Sequence, residues 1–277
     1  MHPSDGDGSN SMTRSTQQAP ATVPVTVSRA SQPALSNFAS AGHSLPFRVL
    51  PADRCAAVQE QLLHEVLATP GPNHRNEQQR RDDASCRHVD VQEIRRLGSS
   101  PAVVDAVCNA LESDRVTLFI SRIWTKLPAG VETREWSSSG IPWHQDNAYF
   151  PIEPKVSVNA WVAISHVDRS NGGLELVPGS HGALLDTEKP PGTVFPRTRE
   201  TLLNPRDDGM AVDLQPGECF LFSGSLLHRS SPNNSNHPRV GIQFNFVPTI
   251  SHLPDDYPYV GAWAHRIHVE RVYDTET

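Results

Sequence analysis

The sequence predicts a mainly β protein, a sandwich or jelly roll buttressed by N-terminal α-helices. Three observations point there. Two amphipathic helical patterns lie in the first 111 residues. From Val116 onward the character changes to short runs of β-branched and aromatic residues punctuated by Pro, Gly and Asn. Two of those runs alternate between an apolar and a polar face, as strands do when their two sides meet different surroundings.

Residues 1–42 are rich in Ser, Thr, Gln, Pro and Ala and poor in large apolar side chains. Such a stretch buries too little surface to offset its ordering entropy, which predicts a disordered Ser/Thr/Pro-rich tail ahead of a domain spanning 43–277. A transit peptide is the alternative; with only Arg14 and Arg29 as basic residues, it has less behind it. Order begins near Leu45–Leu50. Residues 52–68 read as a helix with Cys55, Val58, Leu62 and Val66 along one face. Residues 70–87, entered through Pro70, Gly71 and Pro72, read as a polar loop. Ser100 followed by Pro101 is a capping residue with proline at the first helical position. That helix runs to about Leu111 with Val103, Ala106, Val107 and Ala110 inward.

Strand 116–126 puts Arg122, Trp124 and Lys126 on one face, either inward, where Arg122 would meet an anionic substrate, or on a solvated edge strand, which explains the trio nearly as well. In 155–165, Val156, Val158, Ala160, Val162 and Ile164 oppose Ser157, Asn159, Trp161, Ala163 and Ser165. In 239–247, Val240, Ile242, Phe244 and Phe246 oppose Arg239, Gly241, Gln243 and Asn245. The simple account is a sheet wet on one side. The alternative is a barrel whose apolar exterior packs on helices and whose polar interior lines a site; Trp161 and Arg239 on the polar faces favour it.

At 277 residues and a net charge of −7, the composition is that of an ordinary globular protein. No basic stripe points to nucleic acid, no polybasic segment to a membrane surface, and no apolar run approaches the ~20 residues of a spanning helix. The N-terminus lacks the charged-then-apolar pattern of a secretory signal. Cys55, Cys86, Cys108 and Cys219 are scattered without metal-ligand spacing, so reduced thiols and a cytoplasmic location are expected.

The chemistry concentrates in Ile141-Pro142-Trp143-His144-Gln145-Asp146. Residues two apart on a strand point to the same side, so His144 and Asp146 supply two-thirds of the triad that holds non-haem ferrous iron with positions left open. A third ligand candidate is His228, after the apolar run Cys219–Phe222 and a Gly-containing turn. Eleven residues on, Arg239 opens the next strand. If the two strands are antiparallel neighbours joined by 231–238, Arg239 returns beside His228. A guanidinium there can bind a carboxylate through two parallel hydrogen bonds.

Trp143–Asp146, Asn171-Gly172-Gly173 through Val177-Pro178-Gly179-Ser180-His181, His228-Arg229-Ser230 with Pro232-Asn233, and Arg239 fall in an order and spacing that resembles the phytanoyl-CoA dioxygenase family of Fe(II)/2-oxoglutarate oxygenases. The resemblance covers roughly residues 45–250. It implies a double-stranded β-helix of jelly-roll, cupin-like form, with iron held by His144, Asp146 and His228. It also implies 2-oxoglutarate seated on Arg239, with Trp161, Gln145 and Ser230 beside it. Lys126 stands where the family often has a Lys-Pro pair, but Leu127 intervenes and Lys126 is left out of the site. His181 belongs to a structural turn. Tyr149 is the candidate substrate contact; Asn147, Phe150 and Trp136–Ser138 are candidate entrance residues.

The implied reaction consumes O2 and 2-oxoglutarate, releases succinate and CO2, and hydroxylates or otherwise oxidises a small-molecule metabolite. Asp146 itself argues for hydroxylation, since related halogenases carry a small residue there. A zinc hydrolase using the same His/Asp/His set would leave Arg239 and Trp161 without a purpose. A non-catalytic jelly-roll binding protein predicts erosion of a ligand or of the Arg, and none is eroded.

Overall fold

A computed structural model describes residues 20–28, 35, 37–68, 86–131, 140–188, 197–199, 209–254, 263 and 265–274. In chain order its elements are β1 (Thr22–Val27), α1 (Phe38–Ala41), β2 (Phe47–Arg48), α2 (Ala52–Ala68), α3 (Arg87–Asp90), α4 (Gln92–Gly98) and α5 (Pro101–Ala110). There follow β3 (Arg115–Lys126), β4 (Ile141–His144), β5 (Val158–Ala163), β6 (Leu174–Leu176), β7 (Thr187–Glu188), β8 (Arg197–Thr198) and β9 (Met210–Ala211). The chain continues through β10 (Glu218–Ser223), β11 (His228–Ser230), β12 (Arg239–Pro248) and β13 (Ile267–Tyr273).

The alternation seen in the sequence is what builds the jelly roll. Val158, Ala160 and Val162 of β5 join Val240, Ile242, Phe244 and Phe246 of β12 in one apolar cluster with Val103, Val104, Ala106 and Val107 of α5. The helices therefore cover the outer face of a seven-stranded sheet ordered β1-β13-β3-β12-β5-β10-β2. The inner face of that sheet meets a shorter one ordered β4-β11-β6-β9. Trp161, Phe220 and Phe222 from the long sheet pack there on Leu174 and Leu176 from the short one. Full burial of such side chains stabilises by about 1.5–3 kcal/mol each, so the inner cluster fixes the separation of the sheets and the outer one seats the helices. A third apolar cluster joins Phe119, Ile120 and Val247 to Phe150, Ile152 and Leu253, and the polar part of the interior carries the site.

Several expectations change. Thr22–Val27 lies within the stretch read as a disordered tail, yet it pairs in parallel with β13, and Val25 and Val27 are buried. Its partner strand lies at the far end of the sequence, and local composition carries no information about so distant a pairing. The strand β3 pairs with β12 from Val116 to Lys126, but with β13 only over Arg115–Leu118, so the stretch carrying Arg122, Trp124 and Lys126 has β12 as its strand partner. The trio nonetheless lies on the inward face: Arg122, Trp124 and Lys126 are register partners of Gln243, Gly241 and Arg239, and Lys126 is buried, which favours the inward reading over a solvated edge. Pro101 does open α5, but the Ser100 hydroxyl makes no capping bond and is buried without a partner. The loop expected at 70–87 falls largely outside the described residues, and Arg87 already begins a helix.

The pairing expected between the His228 and Arg239 strands is also corrected. The strand β11 pairs with β4 and β6 in the short sheet, whereas β12 lies between β3 and β5 in the long sheet. Residues 231–238 cross from one sheet to the other, so His228 and Arg239 lie on opposite walls of the interior. Their short separation in sequence reflects a crossover, not a hairpin.

Candidate active site

The strand β4 ends at His144, and Gln145 keeps an extended backbone (φ −127°, ψ 125°) before the chain turns over Asp146–Ala148. Alternation therefore carries through to Asp146, which shares a side with His144. His228 is the register partner of His144 across β11 and β4, and the two rings lie 4.1 Å apart. The Nε2 atoms of His144 and His228 stand 3.6 and 3.9 Å from the same oxygen, Asp146 Oδ1. These donor atoms converge within 4.8 Å of one another, forming a group able to hold a metal ion.

Both imidazoles are already set for that task. His144 Nδ1 lies 2.8 Å from the Pro142 carbonyl, and His228 Nδ1 lies 2.9 Å from the Leu226 carbonyl. A carbonyl only accepts, so each Nδ1 carries a proton and each Nε2 is the nitrogen turned to the cluster. Burial, reinforced by His228, holds the His144 imidazole well below its ordinary titration range, against the opposing pull of Asp146. Ser180, in the Pro-Gly-Ser-His turn, accepts a hydrogen bond from the Leu227 backbone N–H at 2.9 Å. That turn thus anchors the residue before His228. His181 bonds the Ala39 carbonyl at 3.2 Å, as a structural residue would.

The opposite wall is cationic. Arg239 and Lys126 are register partners on β12 and β3, and both are buried. Arg239 donates to the carbonyls of Gly172 at 2.8 Å and Trp124 at 3.3 Å, leaving its buried Nε without a partner. Its guanidinium sits 5.4 Å from the Trp161 ring centre. Gly241 makes that approach possible: a Cβ there would stand 2.2 Å from the indole. Lys126 donates to Ser230 Oγ at 2.9 Å and to the Ser231 carbonyl. Burial pushes Arg239 down to about 9; burial and then Arg239 push Lys126 down to about 6. Among the described residues no carboxylate compensates either group. A buried guanidinium, a buried amine and an orphaned donor fit an anion, and a dicarboxylate spanning from the metal ligands to Arg239 would supply it.

One resemblance-based expectation fails on geometry. Gln145 points away from His144 and Asp146 because it is the intervening residue on the strand. Its amide donates to the carbonyls of Ala183 and Ser225 at 2.8 and 2.6 Å and accepts from the Leu185 N–H at 2.7 Å. Those bonds occupy it as a structural brace rather than a co-substrate contact. Asn147 and Phe150 are not at an entrance either. Asn147 is bonded to Ser225, Ser157 and Lys155, and Phe150 packs edge-on against Phe119. Trp136–Ser138 lie outside the described residues. Tyr149, by contrast, stacks on His144 at 5.6 Å with the rings 7° from parallel.

A family model described as phytanoyl-CoA dioxygenase (PhyH) matches residues 38–241. The chain belongs to this family. Over 125 residues it is 31% identical to the peroxisomal phytanoyl-CoA dioxygenase of Bos taurus, covering 43% of this chain and 36% of that protein. Over 112 residues it is 30% identical to the dioxygenase trt7 of Aspergillus terreus (strain NIH 2624 / FGSC A1156), covering 38% of this chain and 34% of the relative. These matches span about a third of the relatives' own length. In fold it is similar to the epimerase SnoN solved with Fe3+, alpha-ketoglutarate and nogalamycin RO. That likeness has a TM-score of 0.62 at 18% identity and covers 81% of this chain and 86% of the other.

Sequence reasoning misses several residues that line or brace this cluster. Leu127 breaks the dipeptide that would mark Lys126 in the sequence, although Lys126 on β3 is the register partner of Arg239. Asn159, Gln243 and Asn245 were visible as a polar face but had no assigned partner. Glu175 gave no signal. On β6 it is almost fully buried, bonded by Arg229 at 3.0 Å, Arg169 at 3.0 Å and Ser231, and it braces the strand that carries His228. Burial alone would raise its carboxyl, but those hydrogen bonds and charges hold it below the usual range.

Proposed function

We propose that this protein is an Fe(II)- and 2-oxoglutarate-dependent dioxygenase that hydroxylates a small-molecule metabolite, releasing succinate and CO2. The observation that carries the reading is the pairing of two complementary walls. One wall offers two imidazole nitrogens and a carboxylate; the other offers a buried guanidinium and a buried amine with no anion beside them. His144 Nε2, His228 Nε2 and Asp146 Oδ1 would hold the iron. Arg239, Lys126 and Ser230 would take the distal carboxylate of 2-oxoglutarate, with Trp161 as a wall. The bound iron supplies oxygen activation coupled to decarboxylation of the keto acid.

The residues of the chain orient and enclose. The Pro142 and Leu226 carbonyls keep each ligand imidazole in the tautomer that offers Nε2. Arg239 and Lys126, desolvated on the long sheet, select a co-substrate with a charged far end. Tyr149, stacked over His144, forms a wall for the substrate and keeps water from that side of the site. Substrates without a CoA group are favoured, because no basic entrance is recognisable in the sequence.

Zinc hydrolysis needs only the ligand wall and gives the buried guanidinium and amine no task. A non-catalytic binding role is not supported by a ligand set and an Arg that are all intact. The test is anaerobic addition of Fe(II) and 2-oxoglutarate. A visible charge-transfer band is expected in the native protein and its loss in His228→Ala. No band, and no succinate when air is admitted with a panel of metabolites, would refute the reading.

A further inference from the structure

Asp146 is held by more than its place at the end of β4. Its Oδ2 accepts from Asn159 Nδ2 at 2.8 Å and from Gln243 Nε2 at 3.2 Å. Its Oδ1 is the oxygen that both histidines face. The two carboxylate oxygens therefore have separate tasks, one toward amides of the long sheet and one toward the ligand cluster.

The polarity of both amides is fixed. Trp124 Nε1 donates to Gln243 Oε1 at 2.8 Å, and an indole N–H can only donate. The bonded atom of Gln243 is therefore its oxygen, which turns its NH2 toward Asp146. Asn245 Nδ2 donates to Asn159 Oδ1, which turns the NH2 of Asn159 the same way. Asn159 and Asn245 are direct register partners on β5 and β12, and Gln243 follows on the same face of β12. Asn159, Gln243 and Asn245 are all buried, so each amide is kept only because its hydrogen bonds are made.

We propose that Asn159 and Gln243, oriented by Asn245 and Trp124, are positioning residues that keep Asp146 a one-oxygen metal ligand. A carboxylate free to rotate can offer both oxygens and occupy a second position on the ion. With Oδ2 saturated by two donors, only Oδ1 is offered, and the position that a second oxygen would take stays open for co-substrate or oxygen. The amide row also ties the metal wall of the short sheet to the long sheet. This inference rests on the metal-site reading above.

The test uses the full-length protein loaded with Co(II), whose visible bands report coordination number without turnover. Gln243→Met and Asn159→Ala each remove one donor. Both are expected to weaken Co(II) binding by about 10–100-fold and to shift and weaken the visible bands toward a higher coordination number. Trp124→Phe keeps an aromatic ring but frees the Gln243 amide, and is expected to move the bands in the same direction by less. It also serves where a direct variant fails to fold. Folded variants whose Co(II) spectra and affinities match the native protein would overturn the clamp while leaving the metal site standing. A native protein without Co(II) bands that depend on His228 would remove both.

Discussion

The two sheets divide the site between them, and they do so by different means. The short sheet presents His144 and His228 on strands of four and three residues, stiffened from behind by the Gln145 brace, the Pro-Gly-Ser-His turn and Glu175. The long sheet presents Arg239, Gln243 and Asn245 on one ten-residue strand and Asn159 and Trp161 on the next, backed by helices. The ligand wall offers lone pairs and awaits a cation. The other wall offers protons and awaits an anion. Short strands can carry ligands because backbone carbonyls fix the rings; the anion seat needs a continuous sheet to hold the guanidinium and the amine close together.

If that division is real, damage to one wall leaves the other working. The largest effect is expected from His228→Ala, which should abolish stable Fe(II) binding in equilibrium dialysis while leaving the far-ultraviolet circular dichroism spectrum unchanged. Next, Arg239→Ala should weaken 2-oxoglutarate binding by about 10–100-fold, since it removes charge-assisted hydrogen bonds. Calorimetry should show Fe(II) binding little changed. Equal loss of both ligands would mean the walls do not act separately.

Lys126 gives a pH-dependent test of the anion wall. Its ordinary value of 10.5 falls to about 6 through burial and Arg239. Between those values the unfolded chain holds a proton that the folded protein lacks, so stability rises with pH across that window and the penalty is complete below it. Urea titrations of the co-substrate-free protein at several pH values should show that rise, with this group contributing at most ~1.4 kcal/mol per pH unit. Lys126→Met should flatten it. A native stability that does not rise, or an unchanged slope in the variant, would count against an uncompensated cation here.

The smallest effect tests the back of the ligand wall. Glu175→Gln should lower unfolding stability by about 1–3 kcal/mol, measured by chemical denaturation, with Fe(II) affinity nearly retained because the ring tautomers are set elsewhere. A loss of iron comparable to that in His228→Ala would show that the short sheet depends on this carboxylate for ligand geometry.

The parts of this architecture legible in the sequence are those with local period. Alternation in 239–247 gave both the apolar face that meets α5 and the polar face that lines the site. The two-residue spacing of His144 and Asp146 fixed their common side, and the same rule places Gln145 on the other, where family resemblance alone had drawn it into the co-substrate seat. What stayed hidden depends on distant pairing. Thr22–Val27 finds its partner in β13, and 231–238 crosses between sheets where a hairpin would have looked identical in sequence. The amide row could be seen as polar, but its target became visible only once Asp146 was brought opposite it.

In this account one wall seats a metal and the other would seat the far carboxylate of the co-substrate. The most direct measurement is an anaerobic titration of the Fe(II)-loaded protein with 2-oxoglutarate and with 2-oxopentanoate, which keeps the chelating end and replaces the distal carboxylate by a methyl group. Both should produce the charge-transfer band, with 2-oxopentanoate needing about 10–100-fold more, and Arg239→Ala should bring the two close together. Equal affinity in the native protein, or a preference that survives Arg239→Ala undiminished, would contradict it.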